Sequence, residues 1–175
     1  VKALVRDLSK AQKILPGQVE LIKGDLRDTE SLENFIKDAD QLYLNLNLKQ
    51  SEKPNDFHAE KEGLQKIITL AKQYHIKRIG FISSLVMQYE GMNDFSWWVF
   101  QLKQEAVDII KASSVPYCIF YPSTFMENFN HTYRKGNRIL LAGKSKYKMH
   151  FIAGHDYGKQ VVNAFNQTEL KNKEY

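Results

Sequence analysis

Apolar residues in this chain fall into short blocks separated by helix-spaced stretches. Residues 1–5 (Val-Lys-Ala-Leu-Val) read as a strand that stops at Arg6-Asp7, and a short helix over 8–15 leads to the turn signal Pro16-Gly17. A second strand over 19–23 ends at Gly24-Asp25, and a helix over 29–37 follows with Asp28 as its cap. A third strand spans 41–46, and the polar stretch 49–56, with Pro54, is a loop. Leu64, Ile67, Ile68 and Ala71 then mark one face of a long helix. The run Ile79-Gly80-Phe81-Ile82 is a strand cut off by Ser83-Ser84, and Val99, Leu102, Ala106 and Ile109 stripe a helix over 95–113. Tyr117 to Tyr121 is a further strand, stopped by Pro122. Beyond Phe125 the pattern loosens: 128–136 is polar and aromatic, 138–142 and 147–152 read as short strands around Gly143-Lys144, 156–167 as a helix, and the tail from 168 is charged.

Short strands alternating with helices predict an α/β domain with a parallel sheet covered on both faces. Ligands of such sheets sit at the carboxyl ends of the strands. Ser83, Ser84, Pro122, Ser123 and Thr124 therefore fall on the ligand edge, with Lys103 on the helix between. Each also has an ordinary reading, since serines end strands by making turns and Lys103 could be a solvated helix lysine.

Composition narrows the field. The 175 residues amount to one domain, read as 1–175 without repeats or a linker. No apolar run approaches the ~20 residues that cross a bilayer, and the first residues lack the apolar core of a signal peptide. No membrane association is expected. The single Cys118, inside an apolar run, excludes an internal disulfide and suits a reducing cytoplasm. The net charge of +5 comes from cations interleaved with acids along the whole chain, so nucleic-acid binding is not expected. His58, His75, His131, His150 and His155 lack metal-ligand spacing, and no metal site is expected.

Six stretches, in order, resemble one family: residues 1–7 with Lys10, 19–28 (Val-Glu-Leu-Ile-Lys-Gly-Asp-Leu-Arg-Asp), 76–84 (Ile-Lys-Arg-Ile-Gly-Phe-Ile-Ser-Ser), Lys103 with Glu105, 121–128 (Tyr-Pro-Ser-Thr-Phe-Met-Glu-Asn) and 155–158 (His-Asp-Tyr-Gly). They are similar to the NmrA-like group of atypical short-chain dehydrogenase/reductases. The resemblance implies an NAD(P)-binding Rossmann domain, with 129–155 as a partial substrate-side region. It implies that Arg6 grips a 2′-phosphate in a bidentate manner, that Lys10 adds a second positive charge, and that NADP(H) is preferred over NAD(H). Asp7 tempers this, since it could pair with Arg6. Asp25 and the Leu26 amide would lie near the adenine, although Asp25 could equally serve a turn. Asn45 and Leu46 would pass the cofactor ribose, and Pro122 and Thr124 would bind the cofactor from the ligand edge. Ser83 or Ser84 matches the catalytic serine, and Lys103 matches the lysine that holds the nicotinamide ribose. Met87, Tyr89, Trp97 and Trp98, faced by Phe125, Phe129 and Tyr133, would form an aromatic pocket suited to a flat substrate such as a quinone.

Two departures matter. Val99 stands where ordinary members carry the catalytic tyrosine, so proton transfer falls to Lys103, Tyr89 or Tyr121, or is not required. The glycine-rich turn that cradles a pyrophosphate is also absent, and the first strand here resembles the family's second. The expectation is a Rossmann-like domain incomplete at both ends, a fragment of a longer protein. Either a gap lies between its first and third strands, or they pair directly. The expected activity is hydride transfer from NADPH to a small carbonyl or quinone. The alternatives are an NADP(H)-sensing regulator that acts through a protein partner, and a sugar-nucleotide epimerase relative, weakened by the missing tyrosine. The oligomeric state is open, with a homodimer among the readings.

Overall fold

A computed structural model describes residues 1–48, 51–130, 134–139, 148 and 150–175. In chain order the elements are β1 (Lys2–Val5), α1 (Leu8–Gln12), β2 (Glu20–Lys23), α2 (Thr29–Ile36), β3 (Gln41–Leu44), a π-helical turn (Ala59–Gly63) running into α3 (Leu64–Gln73), and β4 (Arg78–Ile82). Two 3-10 turns (Leu85–Tyr89 and Met92–Asp94) precede α4 (Trp98–Ala112) and β5 (Tyr117–Phe120). Then come β6 (Thr124–Phe125), β7 (Arg134–Lys135), β8 (Arg138–Ile139), β9 (Phe151–Ile152), α5 (Gly154–Phe165) and β10 (Lys173–Glu174).

The main sheet has the order β10–β5–β4–β3, all parallel, and β1 pairs in parallel with β2 in a sheet of its own. Of the two outcomes expected for the first and third strands, the structure takes the gap: among the described residues no ladder joins β1 to β3. β10 corrects the reading of the tail as merely charged, because Tyr175 N donates to the Ile119 carbonyl and Tyr121 N to that of Tyr175. Within the strand expected over 138–142 the described residues form β8, in a hairpin with β7, and within that expected over 147–152 Phe151 and Ile152 form β9, paired with β6. Residues 140–142, 147 and 149, with Tyr133 and His131, lie outside the described residues.

One core holds both sheets. Leu64, Ile67, Ile68 and Ala71 of α3, Ile79 and Phe81 of β4, and Ala106, Val107 and Ile110 of α4 are buried together, and Leu4 of β1 packs against them. Each large side chain so buried contributes roughly 1.5–3 kcal/mol. Asp28 caps α2 as expected, accepting from Glu30 N at 3.1 Å. On the other face of the sheet, α5 lies close to β4 at Gly80, where a Cβ would stand 2.5 Å from the Phe165 ring. The buried Arg78 caps the end of α5 by donating to the carbonyls of Ala164 (2.5 Å), Phe165 (3.4 Å), Gln167 (3.3 Å) and Glu169 (2.6 Å).

Candidate functional site

The strand ends of the main sheet come out level. Leu44 pairs with Phe81 and Ile82 with Phe120, so Asn45, Ser83 and Tyr121-Pro122 emerge along one edge. Ser83 N donates to the Phe120 carbonyl at 2.8 Å, and Leu85 N to that of Pro122 at 3.1 Å. Ser83 is buried, and its hydroxyl faces the Met87 sulfur at 2.8 Å. Ser84 caps the following 3-10 turn through its backbone alone. Asn45 is exposed while Leu46 packs on the core, and Thr124 is half-buried in β6.

Behind that edge lies a polar cluster with a member that the sequence did not disclose. Lys103 Nζ donates to Glu60 Oε1 at 2.6 Å; the Lys103 side chain is 16% exposed and that of Glu60 not at all. Burial raises the Glu60 carboxyl above its ordinary range, and Lys103 opposes that rise. Glu60 sits on the π-helical turn, closed by Gly63 N donating to the His58 carbonyl. Glu62 accepts from His58 N at 2.8 Å, and the His58 ring contacts Glu52 (3.4 Å) and the Pro54 carbonyl (3.3 Å). Trp98, from the first turn of α4, tilts over that imidazole at 5.4 Å. Gly63 is needed here for close approach: a Cβ would meet Leu26 Cδ1 at 3.0 Å. Through Leu26 the end of β2 thus reaches the turn that holds Lys103.

At the smaller sheet, Arg6 follows β1 and Asp25 follows β2, with Gly24 N donating to the Val5 carbonyl. Asp7 does not pair with Arg6. Its carboxylate caps α1, accepting from Lys10 N at 3.0 Å. Among the described residues the exposed Arg6 guanidinium has no hydrogen bond or ion pair. Lys10 is exposed on α1. Asp25 takes the turn role, accepting from Arg27 N at 2.9 Å, with the Arg27 guanidinium 3.8 Å away.

The expected aromatic pocket separates into two groups. Trp97 packs on Phe100 and Trp98 on His58, whereas Phe125 lies edge-on to Tyr157 and Phe129 against Phe151. Tyr89 is half exposed. A 260 Å³ cavity beside α4 is lined by Met87, Glu90, Phe100, Gln101 and Gln104 and lacks both Trp98 and Phe125. Of the alternative proton donors, Tyr121 is already committed. Burial and its hydrogen bond to Glu174 (2.8 Å) raise its hydroxyl beyond the ordinary tyrosine range.

Parallel strands with their polar ends gathered at one edge define a nucleotide-binding α/β fold of the Rossmann type. The chain belongs to the NAD(P)H-binding family, whose sequence pattern matches residues 1–168. Similar solved structures include an anaerobillin reductase from Escherichia coli O157:H7 (TM-score 0.69, 15% identity, 99% of this chain and 82% of that one). A nucleoside-diphosphate-sugar epimerase from Staphylococcus aureus gives TM-score 0.69 at 15% identity, over 99% of this chain and 60% of that one. An NADPH-dependent quinone oxidoreductase from Escherichia coli, solved with NADPH, gives 0.57 at 18% identity, over 74% and 41%. At such identities the likeness is one of fold. The chain spans 60% of the epimerase's length. The chemistry of two side chains suits the two ends of a dinucleotide: a guanidinium beside β1 with no hydrogen bond or ion pair among the described residues, and an ammonium with donors to spare beside the main sheet. No glycine cluster for the pyrophosphate occurs in the sequence.

Proposed function

We propose that this chain is the dinucleotide-binding part of an NADPH-dependent oxidoreductase acting on a small carbonyl or quinone, with residues 129–155 on the substrate side. The observation that carries the cofactor preference is the state of Arg6. Asp7 is spent on the α1 cap, so the guanidinium is free to take a 2′-phosphate, with Lys10 adding charge. The neighbouring quinone oxidoreductase structure with NADPH supports the same chemistry by likeness of fold.

When bound, the dinucleotide supplies a hydride. Asn45, Leu46, Pro122 and Thr124 line its path, and Asp25 with Leu26 flanks the adenine end. Lys103 orients the ribose and the substrate oxygen through the ammonium hydrogens that Glu60 leaves free. Ser83 adds a hydroxyl once it turns from Met87, with Ser84 beside it. Met87, Tyr89 and Trp98 shield the reacting end, and Phe125 bounds it from β6. A cytoplasmic setting and a homodimer are compatible with this reading.

Calorimetric titration of NADPH and of NADH is the test. NADPH should bind at least tenfold tighter, and Arg6→Ala should abolish that difference, an effect of the size expected for a charge-assisted pair. Equal affinity of the two nucleotides would sink the NADP assignment. Val99 favours a second reading, an NADP(H) sensor that works through a protein partner, because valine carries no proton. NADPH binding without oxidation in the presence of quinones and carbonyls would favour the sensor.

A further inference from the structure

We infer that Glu60 is the positioning residue for Lys103, and that this buried carboxylate–ammonium pair takes over the work of the tyrosine absent at Val99. The inference rests on the reading of Lys103 as the group that meets the substrate oxygen. Three observations carry it. Glu60 is wholly buried yet only one of its oxygens has a partner: Oε1 receives Lys103, while Oε2 has no donor among the described residues. A buried pair kept for stability alone would have both oxygens met, since an orphaned buried acceptor is costly. The carboxylate stands on a π-helical turn, a rare distortion that is frequent at functional sites, which here Gly63 and the His58–Glu62 hydrogen bond hold in place. Lys103 keeps a solvent-facing side and two uncommitted ammonium hydrogens, so one end of the pair is anchored and the other can reach a ligand.

The step balances. With a carbonyl, hydride from a bound dinucleotide would go to the carbonyl carbon while a proton leaves Lys103 Nζ for the oxygen, giving the alcohol; with a quinone, hydride would go to one carbonyl oxygen and the Lys103 proton to the other, giving the hydroquinone, the cofactor being oxidised in either case. The neutral amine stays hydrogen-bonded to Glu60 and regains a proton from water on its exposed side. The remaining titratable groups around the pair are His58 and Glu52 on the incoming loop, and Glu62 and Lys61 on the same turn, Lys61 being tied to Glu105 at 2.8 Å.

Glu60→Gln removes the opposite charge without removing the shape. The ammonium of Lys103 is then less favoured, and the alkaline limb of the pH profile of kcat/KM moves to lower pH by about one unit or more. In the ligand-free chain, nitrogen NMR of labelled lysine should show the Lys103 titration moving the same way. Glu60→Asp keeps the charge and withdraws it, so kcat should fall about tenfold or more while the limb stays in place. Should Glu60→Gln not fold, Glu60→Asp carries the test alone. An unmoved Lys103 titration in folded Glu60→Gln, or an unchanged kcat in Glu60→Asp, overturns the role of Glu60. A titration that moves in a chain whose wild type oxidises no NADPH overturns the enzyme reading and proton delivery with it, leaving a structural pair.

Discussion

Lys103 and Glu60 hold opposite charges 2.6 Å apart where water scarcely reaches, and neither is cheap to keep alone. Removing one member of a buried ion pair costs about 3–5 kcal/mol, because the other remains desolvated and uncompensated. That is a large part of the roughly 5–15 kcal/mol that holds a domain together. Lys103→Met is therefore expected to lower the midpoint of thermal unfolding by about 10 °C. Adding Glu60→Leu should return most of the loss, since neither charge of the pair then remains buried without its partner. A single substitution that leaves the midpoint within 2 °C or so would mean that water reaches the carboxylate and that the pair is not buried in solution. Loss of turnover in a lysine variant is thus informative only beside its melting curve. The other buried charge, Arg78, is a contrast. Its donors meet backbone carbonyls at and beyond the end of α5 and no carboxylate, so it works as a helix cap.

Helix α4 presents the pair, and its own start depends on a residue outside it. Trp97 at its N-cap has no side-chain cap; Glu90 substitutes, accepting from Trp97 N (3.0 Å), Ser96 Oγ (2.6 Å) and Gln101 Nε2 (3.2 Å). Those hydrogen bonds, that of Ser96 foremost, hold the Glu90 carboxyl below its ordinary value of 4.5. A carboxyl lowered in the folded state stabilises fully above its unfolded value, and that contribution is lost as pH falls through the folded one. Below pH 4.5 the segment over 85–97 should come away from α4, reported by the fluorescence of Trp97 and Trp98, the chain's two tryptophans. Glu90→Gln should abolish that acid transition; the same acid profile in both proteins would rule Glu90 out as the cap. The helices and main strands were legible because their periods are strong: α4 shows its stripe, and β4 and β5 are apolar runs closed by polar ends. Glu60 was legible only in a negative sense. The stripe Leu64, Ile67, Ala71 continued back one turn lands on a glutamate, a charge on a buried face, but its partner lies 43 residues on and no local pattern names it. The lysine of the pair, by contrast, could be placed from its motif. β10 was invisible for another reason. A two-residue edge strand of Lys and Glu is held by backbone hydrogen bonds, and charged side chains are what edges carry. That Phe125 stands apart from Trp98 was not legible, because adjacency in the motif at 121–128 does not reveal that β6 pairs with β9 and sets Phe125 against Tyr157.

At the scale of the molecule, the parallel strands are split between two sheets that share one core but no ladder, leaving β1 and β3 each with one edge unpaired among the described residues. Parallel strands are ordinarily covered on both sides, and an open edge invites another strand. In a Rossmann order the strand between these two carries the glycine-rich turn at its end, which is the element the residues present do not supply for a pyrophosphate. One strand would therefore close the sheet and complete the nucleotide site together. The experiment adds a strand, a glycine-rich turn and a helix ahead of Val1, and follows amide exchange and NADPH binding in both forms. Exchange should slow by at least tenfold at the β1 and β3 amides that face the slot, and hardly at all in β4, which is already paired on both sides. NADPH affinity should rise with that protection, because the backbone N–H groups of the turn bind phosphate only when the strand beneath them is fixed. If the β1 and β3 amides of the present chain are already as protected as those of β4, another contact covers the edges and the slot is not a strand site. If protection appears without tighter binding, the sheet closes as expected, but Arg6 and Lys103 are not the two ends of a dinucleotide site.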